Sequence, residues 1–287
     1  MHDKINLING DCLEILKTFP ENSVDLILCD LPYAVTSCKW DVLIPMEDYI
    51  LLSGKPKTKT DYLLLKYKEN ISFEIAEAEF EKHKQQGLWT LYHKVLKNNG
   101  AVVLFGQEPF STYLRQSNPS EYKYDWYWEK ERLTNISQVK RRAGKTIETI
   151  SVFYAKQPTY NPQMVKYNGP PRTNKIKNGK LGKLTDGQMK KPTEYHDTGY
   201  RYPTQVLRYQ RDCLTSSLVD TQKPVKLCEF LIKTFSNPGE TVLDNCMGSG
   251  TTGIACINTD RKFIGIEKDL NHFRIAQNRI EKHLLNS

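Results

Sequence analysis

Thr241-Val242-Leu243-Asp244-Asn245-Cys246-Met247-Gly248-Ser249-Gly250-Thr251-Thr252-Gly253 sets a short apolar run, ended by an acid, against a glycine-rich turn. From Ile254 the pattern is helical, and Phe263-Ile264-Gly265-Ile266-Glu267 follows as a second strand that also ends in an acid. Strand, acid, glycine turn, helix, strand, acid is the order expected of one half of an open α/β sheet, where ligands sit outside the carboxyl ends of the strands. Glycines in such a turn let the backbone approach a ligand, since no Cβ intervenes. The spacing is neither Gly-x-Gly-x-x-Gly nor Gly-x-x-x-x-Gly-Lys-Ser/Thr, so a dinucleotide or triphosphate site fits poorly. A nucleoside without phosphates fits better, with Glu267 placed to bind ribose hydroxyls. From these residues alone, a purely structural strand-to-helix turn reads equally well.

A second strand end carries chemistry. Val24-Asp25-Leu26-Ile27-Leu28-Cys29 reads as a buried strand, and Asp30-Leu31-Pro32-Tyr33 follows it. An acid accepts hydrogen bonds, a proline stiffens the turn and a tyrosine presents a flat face; together they suit the amino edge and π-face of a nucleobase. A surface acid beside a packed tyrosine is the plain alternative.

Around these two strand ends the chain of 287 residues reads as one large α/β domain with additions. Ile5–Asn9 is a short strand, and residues 12–19 form a helix that Pro20 stops. Residues 51–87 look inserted: a polar loop at 55–60, then a mostly exposed, charge-rich helix over 69–86. A helix over 88–97 ends at the turn signal Asn98-Asn99-Gly100. Residues 101–105, 122–129 and 150–155 read as strands, and helices open at Pro109, Pro224 and Asp269. The predicted domains are a catalytic half (1–156), a basic middle region (157–221) and a cofactor half (222–287).

The net charge of +8 is concentrated between Lys123 and Lys223, with mildly acidic ends. Lys140, Arg141, Arg142 and Lys145 cluster in one linker. In 157–221 hydrophobic periodicity fades while Tyr160, Tyr167, Tyr195, Tyr200, Tyr202 and Tyr209 interleave with lysines and arginines. Basic plus aromatic is what a polyanion-tracking, base-contacting module needs; disorder is the competing reading. The seven cysteines show no Cys-x-x-Cys spacing, so no metal site or disulfide framework is expected. No apolar run is long enough to span a bilayer, and a cytoplasmic protein is expected.

Asp-Leu-Pro-Tyr early, Asp-Asn-Cys-Met-Gly-Ser-Gly-Thr-Thr late and a basic module between resemble the DNA amino-methyltransferases of the circularly permuted β class. The resemblance runs from Asn6 to Ile280. Leu31 stands where the family's catalytic motif has its first proline, and Asn245 and Met247 depart from the usual cofactor turn. It implies a Rossmann-like S-adenosylmethionine-dependent methyltransferase sheet, circularly permuted, with a small loop-rich target-recognition region. Double-stranded DNA is the implied partner and no metal is required.

By resemblance, Asp30 and the Leu31 carbonyl accept hydrogen bonds from the target amino group, Pro32 holds the turn, and Tyr33 stacks on the flipped base. Asp11 and the Cys12 backbone match the adenine position of the cofactor. Asp244, Cys246, Gly248, Ser249 and Gly250 surround its methionine portion, Thr251 and Thr252 sit at the helix start beside it, and Glu267 binds the ribose. Lys223, in Gln222-Lys223-Pro224, is expected at the cofactor carboxylate, and Trp40 walls the pocket or belongs to the core. Lys140, Arg141, Arg142 and Lys145 are the expected DNA contacts.

An acid at position 30 resembles the adenine-N6 enzymes more than the cytosine-N4 enzymes, which usually carry serine there. The cysteine-nucleophile route to carbon-5 methylation is disfavoured, because the chain has no Pro-Cys dipeptide. Cytosine-N4 methylation, an RNA or protein amino-methyltransferase and a non-catalytic DNA-binding module remain open, as does a restriction-modification, solitary or phage setting. The insertion reads as decoration or a homodimer contact.

Overall fold

The computed structural model describes residues 3–33, 41–169, 198–212 and 222–286. Trp40, Tyr195 and most of the basic middle region lie outside the described residues. The fold is built on an eight-stranded mixed sheet. In chain order its strands are β1 (Ile5–Asn9), β2 (Val24–Cys29), β5 (Leu96–Gly106), β6 (Tyr122–Glu129), β7 (Ile147–Phe153), β10 (Val206–Arg208), β11 (Thr241–Asp244) and β12 (Lys262–Glu267). Spatially they run β1-β12-β11-β2-β5-β7-β6-β10. The first five in that order are parallel, and β7 pairs antiparallel with both β5 and β6.

Central parallel strands are covered on both faces, which is why β2 reads as a near-continuous apolar run. All six of its residues are buried. Leu26 and Leu28 join one core with Val103, Phe105 and Trp128, covered by α6 (Val225–Phe235), α7 (Thr251–Asn258) and α8 (Leu270–Leu285). Ile27 and Cys29 join the opposite core with Val102, Leu104 and Leu243, covered by α1 (Cys12–Lys17), α4 (Leu88–Val95) and α5 (Phe110–Ser117). Each fully buried leucine or phenylalanine contributes about 1.5–3 kcal/mol. Asp25, the one acid inside β2, is matched on both oxygens: Lys97 Nζ donates at 2.7 Å and the Thr241 N–H at 2.9 Å.

Helix starts follow local chemistry. Asp11 caps α1 by accepting from the Leu13 N–H at 2.9 Å, and Asp269 caps α8 by accepting from the Asn271 and His272 N–H groups. Gly250 precedes α7 in the left-handed region, at φ 76°.

Three elements differ from the sequence reading. The polar stretch at 55–60 is not a loop: β4 (Lys55–Thr58) pairs antiparallel with β3 (Tyr49–Leu52) and runs into α2 (Lys59–Lys68). The single helix expected over 69–86 is cut short, because Asn70 takes a left-handed φ of 60° and Ser72 caps a separate α3 (Phe73–His83). Ile50, Tyr62, Leu63, Ala76 and Phe80 give this inserted segment a small core of its own. Asn98-Asn99-Gly100 does not end α4 in a turn. It lies inside β5 as an irregularity, where the partner of β2 jumps from Leu96 opposite Val24 to Ala101 opposite Leu26.

The chain divides into two compact units, Met1–Asn161 with Gln205–Ser287, and Pro162–Thr204. β10, read from the sequence as part of the basic region, instead adds an edge strand beside β6 in the first unit. Within the second unit, β8 (Val165–Lys166) pairs antiparallel with β9 (Tyr200–Arg201), and the Arg201 guanidinium lies 4.3 Å from the Tyr167 ring centre. Among the described residues, no helix is long and apolar enough to cross a membrane.

Candidate active site

Four neighbouring parallel strands deliver four acids to one edge of the sheet. β1 and β12 end opposite each other, Asn9 against Glu267, and Asp11 follows β1 by two residues. β11 ends at Asp244, and Asp30 follows β2 directly. A cavity of about 1230 Å³ opens along this edge. Its walls include Asp11, Cys12, Asp30, Leu31, Pro32, Tyr33, Lys223, Cys246, Gly248 and Glu267, so candidate residues from both halves of the chain meet in one place.

Asp30 is held on both of its carboxylate oxygens. Its Oδ1 accepts from the Tyr33 hydroxyl at 2.6 Å, and its Oδ2 faces Lys223 Nζ at 2.5 Å. A carboxylate has about four lone-pair sites, so each oxygen keeps acceptor capacity. The Leu31 carbonyl has no hydrogen-bond partner among the described residues. Two residues with spare acceptor capacity thus follow one another on the cavity wall. Tyr33 is not a free stacking face: its ring lies against Phe110, centroids 4.9 Å apart, and the Lys223 ammonium stands over it, 5.9 Å from the ring centre.

The resemblance implies Lys223 at a cofactor carboxylate; the structure places it between two protein carboxylates. Besides Asp30 it stands 3.6 Å from Glu148 Oε2, and Glu148 Oε1 accepts from Lys130. Lys223 and Glu148 are both buried. Desolvation works to lower the Lys223 pKa, but the Asp30 and Glu148 charges outweigh it and raise it. Burial likewise works to raise the Glu148 pKa, and Lys223 and Lys130 bring it below the usual value. Both therefore remain charged. Glu148 and Lys130 line the cavity, yet the sequence reading misses them; each sits in a strand or at a strand end with nothing in the local pattern to set it apart.

At the other end, Glu267 accepts from the Gly248 N–H at 3.0 Å and the Asp269 N–H at 2.8 Å. Burial pushes its carboxyl up. Gly248 has φ 50°, and a Cβ there would meet nothing within 4 Å, so open space stands where a side chain would be. For Asp11, burial acts upward, and the Lys268 ammonium at 2.9 Å and the Leu13 N–H more than offset it.

The remaining expected cofactor residues lie behind the wall. Asp244 is buried; it accepts from the Thr252 hydroxyl at 2.7 Å and the Cys246 N–H at 3.1 Å, and burial raises its pKa to about 6. Thr251 and Ser249 are held by Arg279, whose Nη1 reaches Thr251 Oγ1 at 2.9 Å and the Ser249 carbonyl at 3.0 Å. Gly250 packs on Ala276 and Ile280 of α8. These residues shape the turn rather than line the cavity. Of the basic linker, Arg142 and Lys145 line the cavity, while Lys140 and Arg141 stand exposed beside it. Tyr209, one of the interleaved tyrosines, is partly buried: its ring packs on Phe230 and its carbonyl accepts from the Trp128 indole.

Known proteins of the same build bear on this arrangement. The DNA adenine methyltransferase YhdJ of Escherichia coli (strain K12) is 26% identical, with 96% of this chain and 82% of the relative covered. The type II methyltransferase M.HindIII of Haemophilus influenzae is 25% identical, covering 96% of this chain and 94% of the relative. Among solved structures, the M1.HpyAVI–SAM complex superposes with a TM-score of 0.55 at 23% identity, covering 96% and 99% of the two chains. The PvuII DNA methyltransferase, described as cytosine-N4-specific, superposes with a TM-score of 0.57 at 17% identity, covering 98% and 90%. These two establish the shared methyltransferase fold. The family model described as DNA methylase, of the N6/N4 type, matches residues 24–278. The chain therefore belongs to the N6/N4 DNA methylase family and is a DNA amino-methyltransferase, acting on adenine N6 or cytosine N4.

Proposed function

We propose that this chain methylates N6 of an adenine flipped out of duplex DNA, with S-adenosylmethionine as donor. The observation that carries the proposal is the pairing of Asp30 with the open Leu31 carbonyl on the cavity that also holds Gly248, Asp11 and Glu267. An acid at position 30, and a full-length relative named as an adenine methyltransferase, support adenine over cytosine.

The donor set fits S-adenosylmethionine. Glu267 is oriented by two backbone N–H groups with lone pairs to spare for two ribose hydroxyls. Gly248 leaves open space beside them, and Asp11 offers an acceptor for an amino group. In this reading Asp11, the Cys12 backbone, Cys246, Gly248 and Glu267 hold the cofactor. Asp244, Ser249, Gly250, Thr251 and Thr252 hold the turn that presents them. Bound there, S-adenosylmethionine supplies a methyl group on a positively charged sulfur.

The protein's task is to make an amino nitrogen nucleophilic. Its lone pair is delocalised into the ring, and two acceptors aimed at its hydrogens favour a pyramidal nitrogen with the pair concentrated. Asp30 and the Leu31 carbonyl provide them, and Pro32 fixes their angle. In this reading Tyr33 presents its ring to the base, and Asp30 takes the proton released after transfer. The contribution is positioning plus fixed dipoles. A paired base cannot reach such a cavity, so the target leaves the duplex at a cost of a few kcal/mol.

Residues 157–221 are assigned to target recognition between the catalytic and cofactor halves. Residues 170–197 and 213–221 of that segment lie outside the described residues. Digesting methylated DNA to nucleosides tests the base assignment: N6-methyladenine is expected, and N4-methylcytosine alone would reassign it.

A further inference from the structure

We infer that Ile136 is the side chain that enters the base stack when the target nucleotide leaves the duplex. The inference rests on the DNA reading above. The segment between β6 and β7 carries the short 3-10 turn Ile136–Gln138 and ties itself together. The Thr134 N–H donates to the Lys145 carbonyl at 3.0 Å, the Lys145 N–H to Asn135 Oδ1 at 2.6 Å, and Asn135 Nδ2 to the Ala143 carbonyl at 3.1 Å. Gly144 packs closely against the Leu133 side chain, so a Cβ there would oblige Leu133 to move. This is a braced loop, and its apex is apolar: Ile136 is 71% exposed, with Leu133 and Val139 also in solvent.

Three apolar side chains exposed on one short loop, rimmed by polar residues, point to an interaction surface where a single one would not. The place says what. Leu133, Asn135 and Ile136 line the same cavity as Asp30 and Tyr33. The surrounding charge says more: Arg132, Lys140, Arg141 and Lys145 share the loop, and none has an ion pair among the described residues. An apolar side chain on a loop rich in cations is complementary to a duplex, with phosphates outside and stacked bases within. A nucleotide that leaves the stack leaves a gap, and an apolar wedge fills it. Val42 lines the cavity too and is 65% exposed. Between Asp41 and Leu52 there is no lysine or arginine to meet a phosphate backbone, whereas the loop of Ile136 carries several, so the assignment goes to Ile136.

The test uses the full-length protein and a duplex carrying its recognition sequence, first located by modification-sensitive sequencing of DNA from expressing cells. Ile136→Ala is expected to lower kcat/KM on the order of 10- to 100-fold on the paired target, and less than about 3-fold when the target base sits in a mismatch that already weakens its pairing. The fluorescence rise of 2-aminopurine at the target position should shrink in parallel, Ile136→Leu should restore both, and Val42→Ala should show no loss selective for the paired target. Equal losses on paired and mismatched targets, an unchanged fluorescence rise, or the selective loss appearing with Val42→Ala would overturn the assignment. A wild-type protein that transfers no labelled methyl to any DNA would instead remove the functional reading beneath it.

Discussion

Lys223 Nζ lies 2.5 Å from Asp30 Oδ2, although 193 residues separate the two in sequence. The contact fastens the end of β2 to the segment that enters α6, and so fastens the proposed catalytic acid to the second half of the chain. Lys223 also stands 3.6 Å from Glu148 and shares that buried carboxylate with Lys130.

Removing the cation therefore leaves two acids without their shared partner. Lys223→Met is expected to cost about 3–5 kcal/mol of folding stability, read by chemical denaturation. The double variant Lys223→Met/Asp30→Asn should recover a large part of that loss, because it removes the carboxylate that Lys223 alone pairs while Glu148 keeps Lys130. A Lys223→Met protein as stable as wild type would show that the buried pairing contributes nothing net.

Asp30→Asn keeps the shape and one acceptor oxygen but loses the charge. Turnover should fall on the order of 100- to 1000-fold, the range for loss of one preorganised electrostatic group. Calorimetric titration should find S-adenosylmethionine affinity within about 3-fold of wild type, because the role proposed for Asp30 is at the target amino group. Undiminished turnover would remove Asp30 from the chemistry.

Glu267→Ala should produce the opposite split. Hydrogen bonds to a charged group contribute roughly 1.5–3 kcal/mol, so cofactor affinity should drop about 10- to 150-fold. Turnover with both substrates saturating should move far less. An affinity that does not change would place the ribose elsewhere.

Asp244 makes stability pH-dependent in a definite direction. Its folded pKa of about 6 lies above the ordinary value, so between about pH 4 and 6 the folded state holds a proton that the unfolded state has released. Stability from this group is full below about pH 4 and is lost as pH rises through 6. Asp244→Asn should flatten that part of the profile, by on the order of 2–3 kcal/mol across the window. Thermal or urea unfolding from about pH 4 to 7 reads it, and parallel profiles for the two proteins would refute it.

Replacing Lys140, Arg141 and Arg142 with alanine should weaken DNA binding at low salt. It should reduce the slope of log affinity against log salt by about 0.9 for each phosphate contact removed. An unchanged slope would take these residues out of the interface. The Arg142 guanidinium also bonds Gln138 within the loop, so a separate Lys140→Ala/Arg141→Ala pair isolates the charge effect.

What could be read from the sequence divides along a physical line. β2, β11, β12, α6 and the two acid-ended turns are specified by neighbours in sequence: buried runs, glycines and caps. Asp30, Gly248 and Glu267 stand at or just beyond strand ends, and strand ends are visible as abrupt changes of polarity. Lys130 and Glu148 could not be seen this way, because their meaning lies in a contact between the ends of β6 and β7 and in a lysine far along the chain. Asn98-Asn99-Gly100 misleads for the same reason: pairing of β5 with β2 carries the strand through a sequence that by itself favours a turn. Tyr209 has the composition of a surface module and the packing of a core, and only the α6 face it meets distinguishes the two.

The pairing of β1 with β12 also dictates an order of events during synthesis. Asn9 and Glu267 are register partners, yet 258 residues lie between their emergence from the ribosome. Among the described residues β1 has no other sheet neighbour, so it waits unpaired until β12 is made. β2 waits in the same way for β11 on one of its sides. Contacts of such long sequence separation form slowly and late. The nascent chain therefore carries an open strand edge through most of the translation of this domain, and the pocket beneath Glu267 takes shape only once β12 has docked.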